Sequence, residues 1–94
     1  MKPLYTQFKQ KAKIEDILYD GEAKAQGQSI TFNKIATNYR FLVLIAENNR
    51  AAMLYPILNQ ESSCTFGNFY VFNNGWTMTL TNTSFDIKKV IGVK

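Results

Sequence analysis

From residue 14 onward, the period of apolar positions in this chain changes to two. Only the first stretch differs. Leu4, Phe8 and Ala12 stand four apart with Tyr5 alongside, a helical stripe set among lysines. Residues 1–13 are therefore expected to form a short helix or arm, at about three turns too short to be stable alone in water. Residues 14–94 are expected to form one antiparallel β domain. Ile17 and Tyr19 alternate with Asp16, Leu18 and Asp20 before the turn signal Asp20-Gly21. Ile30 and Phe32 alternate with Ser29, Thr31 and Asn33, which predicts a strand with one wet face. Tyr39 to Ala46 is apolar on both faces: Tyr39, Phe41, Val43 and Ile45 on one, Leu42, Leu44 and Ala46 on the other. A strand of that kind is central and needs a cover on each side. Pro56 demotes Ala51 to Leu58 to an edge or bulged strand, and Asn59 to Ser63 reads as a loop. Phe85 to Ile87 and Val90 to Val93 close the chain as one bent strand or two short ones.

The clearest unit is the hairpin within Cys64 to Asn82. Asn74-Gly75 tolerates the positive φ that a type I′ turn needs at both central positions. That turn pairs Asn73 with Trp76, Phe72 with Thr77, Val71 with Met78, Tyr70 with Thr79 and Phe69 with Leu80. Side chains alternate along a strand, so Phe69, Val71, Trp76, Met78 and Leu80 share one face. The opposite face sets Tyr70 and Phe72 against Thr77, Thr79 and Thr81. The first face, with Val43, is the expected core. The second suits recognition: Tyr70 and Phe72 offer rings, and Thr79 and Asn68 offer hydroxyl and amide groups that pair with a sugar.

Ninety-four residues make one domain, and no apolar run approaches the ~18 residues of a membrane span. The net charge of +4 would suggest nucleic acid if it lay on the folded surface. It does not. Residues 1–13 hold four lysines and no acid, the last seven residues hold three more, and the part between is net acidic. Nucleic acid and membrane are therefore not expected partners. The chain has no histidine and a single cysteine, Cys64. The commonest general base is missing, and a cysteine-rich zinc site or an intramolecular disulfide is excluded. No glycine-rich phosphate motif occurs. Asp16 and Asp20 beside a turn read as solvated edge residues, not as a glycosidase pair. No catalytic residue, metal ligand or cofactor is expected.

The phrases ILYDGEA at Ile17 to Ala23, QSITF at Gln28 to Phe32, NYRFLVLIAENN at Asn38 to Asn49 and IKKVIGVK at Ile87 to Lys94 resemble small β-domains of bacteriophage tails. The resemblance is to C-terminal domains of tail-fibre and baseplate receptor-binding proteins from phages of Gram-positive bacteria, over residues 14–94. It implies an all-β fold, a trimer, tail-protein partners, a host cell-wall saccharide ligand, and a place in the virion after assembly in the host cytoplasm. No binding residue carries over by motif, and the stalk of longer members is lacking.

The expectation is thus an all-β, compact antiparallel sandwich or barrel-like domain without catalysis. It serves host-surface recognition or tail structure, with Tyr70, Phe72, Thr79 and Asn68 at the ligand. Leu42 and Leu44, joined by Leu4 and Phe8, are assigned to the oligomer contact. The rival functions are a small nucleic-acid-binding barrel, in which Tyr70 and Phe72 would stack bases, and a prophage-encoded protein interaction module.

Overall fold

The computed structural model describes residues 15–94 of the chain, so the expected helix or arm over 1–13, with Leu4 and Phe8, lies outside the described residues. Eight strands form two antiparallel four-stranded sheets. They are β1 (Glu15–Lys24), β2 (Ser29–Thr31), β3 (Phe41–Ala46), β4 (Ala51–Leu54), β5 (Glu61–Cys64), β6 (Gly67–Phe72), β7 (Thr77–Thr83) and β8 (Ile87–Val93). Sheet A runs β1-β8-β3-β4 and sheet B runs β2-β7-β6-β5. Consecutive strands β1 and β2 lie in different sheets, as do β7 and β8, while β1 pairs with β8 and β2 with β7. The first two and last two strands thus run side by side through both sheets, as in a jelly roll. The all-β sandwich expected from the alternating pattern is the fold observed.

The core lies between the sheets and follows from strand periodicity. Sheet B contributes Ile30, Phe69, Val71, Met78 and Leu80; sheet A contributes Leu18, Leu42, Leu44, Ala46, Leu54, Ile87 and Val90, all with no exposed surface. β3 is central in sheet A, flanked by β8 and β4, in line with its two apolar faces. β4 is an edge strand that ends before Pro56, as that proline dictates.

Four pairs of the predicted hairpin register are observed, Phe69 with Leu80, Tyr70 with Thr79, Val71 with Met78 and Phe72 with Thr77, while the expected pair of Asn73 with Trp76 is replaced by turn backbone. Asn74 and Gly75 both have positive φ, and the Trp76 N–H donates to the Asn73 carbonyl over 3.0 Å.

Four expectations are corrected. Trp76 is not core: it is 39% exposed. Asn73 is left-handed and Trp76 is helical (φ −88°, ψ −18°), so neither continues the pleat that would have aimed the indole inward. The faces of β3 are exchanged. Leu42 and Leu44, assigned to an oligomer contact, are fully buried beneath sheet B, and Val43, assigned to the core, faces outward and is half-buried. Asp20-Gly21 is not a turn; β1 continues to Lys24 through irregular pairing with β8. Residues 59–63 are not all loop, because β5 begins at Glu61 and pairs with β6.

Candidate functional site

The outer faces of the two sheets have opposite chemistry. On sheet B the register aligns Ser29, Thr79, Tyr70 and Glu61 in one cross-strand row and Thr31, Thr77 and Phe72 in the next. The Tyr70 and Phe72 rings lie 5.9 Å apart at a tilt of 40°. Ser29 Oγ and Thr79 Oγ1 are 2.9 Å apart, and Ser63 Oγ donates to Asn68 Oδ1 over 2.8 Å. Thr81 is the extra residue of a bulge opposite the Asn68–Phe69 step. Its hydroxyl reaches the Asn68 carbonyl at 2.9 Å and Glu61 Oε1 at 3.2 Å. The fold therefore brings Tyr70, Phe72, Thr79 and Asn68 onto one outer face. Each is half-buried, with an aromatic pair framed by hydroxyls. Glu61 completes the row from β5, a strand whose polar sequence reads as loop.

Sheet A presents the reverse. Ile17, Ile91, Val43 and Met53 align across all four strands on its outer face. Ile17 and Met53 are about half exposed (49% and 48%), and Val43 and Ile91 are half-buried. Val93 pairs with Phe41 in the neighbouring row, and the Phe41 ring leans on Tyr55 at 6.1 Å. This is an apolar surface one side chain wide per strand and four strands across. The residues that extend the apolar character of β3 to solvent are Phe41, Val43 and Ile45.

A third feature lies at one end of the sandwich, and the sequence reading missed it. A cleft of about 350 Å³ is lined by Asp16, Asn33, Lys34, Asn38, Trp76 and Lys94, with Ile35 and Tyr39 at its back. The Tyr39 hydroxyl donates to Asp16 Oδ2 over 2.6 Å, and Lys34 Nζ lies 3.9 Å from the same oxygen. Lys94 Nζ sits 5.7 Å from the centre of the Tyr39 ring. Burial, then the hydrogen bond to Asp16 and its negative charge, push the Tyr39 phenol up to about 12.

Two glycines permit these walls. A Cβ on Gly92 would fall 2.6 Å from Tyr39 Cγ, so only glycine lets the phenol lie across β8. Gly75 has φ +91°, and a Cβ there would come within 2.8 Å of Ile35 Cγ2. The β6–β7 turn thus presses on the 3-10 turn at Ala36–Asn38. The Trp76 carbonyl also accepts from the Phe32 N–H at 2.8 Å. The exposed indole stands on an anchored backbone. The signal that located it was available in the sequence as Asn73-Asn74-Gly75, three residues that tolerate left-handed backbone and lengthen the turn into Trp76.

Cys64 is a free, half-buried thiol. Among the described residues, no three cysteine, aspartate or glutamate side chains converge in the manner of a metal site. No family model, curated protein or solved structure matches the chain.

Proposed function

We propose that the chain is a non-catalytic component of a phage tail or baseplate, assembling with copies of itself through the outer face of sheet A and meeting a host cell-wall saccharide on the outer face of sheet B. The phage setting and a threefold ring rest on the sequence resemblance. The observation that carries the division of labour is the contrast between the two outer faces, one apolar across four strands, the other aromatic and hydroxyl-lined.

The occupant of the sheet A face is a second copy of this chain. Residues 15–94 hold seven basic and seven acidic side chains, so like-charge repulsion does not oppose their approach. An apolar patch of this kind on a small domain marks an interaction surface. On sheet B, the rows around Tyr70 and Phe72 hold Glu61 and no lysine or arginine. Stacking bases would bring phosphates against that carboxylate, which favours a saccharide over nucleic acid.

Contacts between exposed hydroxyls and a sugar replace contacts with water, so each site gains little and affinity accrues from several sites acting together. The test is binding of the native chain and of Tyr70→Ala to purified host cell-wall polysaccharide. Tyr70→Ala is expected to weaken binding at least about tenfold, a loss of about 1.4 kcal/mol. Equal binding by both chains removes Tyr70 from the site, and binding by neither leaves a purely structural tail role.

A further inference from the structure

We infer that the end cleft beside Trp76 is a second binding site, and that it takes a sugar unit carrying an anionic group, a carboxylate or a phosphate. The inference extends the saccharide reading to a place in the fold that the sheet B surface does not reach, and three independent features converge on it. The first is the indole. Trp76 is exposed although its backbone is tied to Phe32 and Asn73 and its turn is pressed onto Ile35. A large ring on a fixed backbone offers an apolar face at little cost in ordering, which is what the C–H face of a pyranose stacks on.

The second is charge. Among the described lining residues, the side chains of Lys34 and Lys94 flank the carboxylate of Asp16, two basic groups to one acidic. The Lys34 side chain is 53% exposed and its contact with Asp16 is long, 3.9 Å, so the ammonium is held loosely and can turn to an incoming anion. The third is the hydrogen-bonding set. Asn33 and Asn38 supply donors and acceptors, and the half-buried Asp16 supplies a carboxylate oriented by the Tyr39 hydroxyl. Vicinal hydroxyls donate to such a carboxylate, whereas a chain of phosphates would be repelled by it. The mixture therefore favours a sugar with one anionic group over a nucleoside polyphosphate.

Trp76 is the only tryptophan in the chain, so its fluorescence reports on this cleft alone. The native chain is titrated with glucuronic acid, glucose 6-phosphate, glucose, inorganic phosphate and AMP. Both acidic sugars are expected to change Trp76 emission with midpoints on the order of 1 mM, and glucose to act at least about tenfold more weakly. Lys34→Gln, a change at an exposed side chain, is expected to bring the acidic sugars down to the level of glucose. A response to only one acidic sugar identifies the anionic group while keeping the site. Tyr70→Ala should leave these titrations unchanged, which separates this cleft from the sheet B surface. If no sugar alters the emission, or if glucose equals the acidic sugars, the inference is overturned. It is equally overturned if inorganic phosphate or AMP binds more tightly than either acidic sugar.

Discussion

Tyr39 shows how one side chain can close a core and build a surface at once. Its ring lies over β8, in space that only Gly92 leaves free, and its hydroxyl orients Asp16 at the mouth of the end cleft. Burial and the neighbouring carboxylate both disfavour the phenolate, so its pKa rises to about 12 from the ordinary 10.0. A raised pKa means that the fold prefers the protonated form. The stabilisation is therefore complete below pH 10, where the unfolded phenol is also protonated, and is lost as pH climbs through about 12. Tyr39→Phe is expected to flatten the fall of stability between these limits relative to the native chain, read from denaturant midpoints taken across that range. An unchanged alkaline slope would mean that Tyr39 is not held as described. Trp76 gives the opposite lesson at the same scale. Its size argued for burial, but the left-handed Asn73 and the helical backbone of Trp76 itself decided its direction.

At the scale of elements, the sequence was most legible where turn chemistry and periodicity agreed. The Asn74-Gly75 signal and the alternation on either side specified the register of β6 and β7, and with it the inward positions of Phe69, Val71, Met78 and Leu80. Phe69 has no exposed surface and packs at the centre of the sandwich. Phe69→Ala should therefore cost about 3–5 kcal/mol, from lost transfer energy plus the cavity left behind. A urea midpoint equal to that of the native chain would reject the assignment of the hairpin's faces. Legibility failed where the local signal was ambiguous. β3 is apolar on both sides, so alternation alone could not say whether Leu42 and Leu44 or Phe41 and Val43 meet sheet B. Glu61 to Cys64 is polar enough to read as loop, and its strand state comes from pairing with β6, a partner already fixed by the hairpin. The aspartate-glycine signal in β1 was overridden by its long pairing with β8. The candidate site divides the same way. Tyr70, Phe72, Thr79 and Asn68 were legible because they lie within one hairpin. The end cleft was not, because it gathers residues from positions as far apart as Asp16 and Lys94.

Across the whole molecule, the sandwich leaves sheet A apolar on both faces. The inner one is closed by sheet B, and the outer one presents the row of Ile17, Ile91, Val43 and Met53 to solvent. Completing the burial of Ile17 and of Met53 gains roughly 1 kcal/mol each, and the half-buried residues around them add smaller amounts. Copies that bury these faces around a common axis therefore gain several kcal/mol per contact, on the order of the cost of losing free translation and rotation. Assembly is expected to depend on concentration and to be sensitive to a single charge. Val43 is half-buried in one protomer, so Val43→Glu should cost the fold about 1 kcal/mol without unfolding it, while placing a carboxylate in the contact. The most direct measurement is sedimentation equilibrium of the native chain and of Val43→Glu up to high-micromolar concentration. The native chain should form a closed oligomer, a trimer by the resemblance, and Val43→Glu should remain monomeric with an unchanged circular dichroism spectrum. A native chain that stays monomeric throughout, or a Val43→Glu chain that assembles as the native one does, would contradict the account.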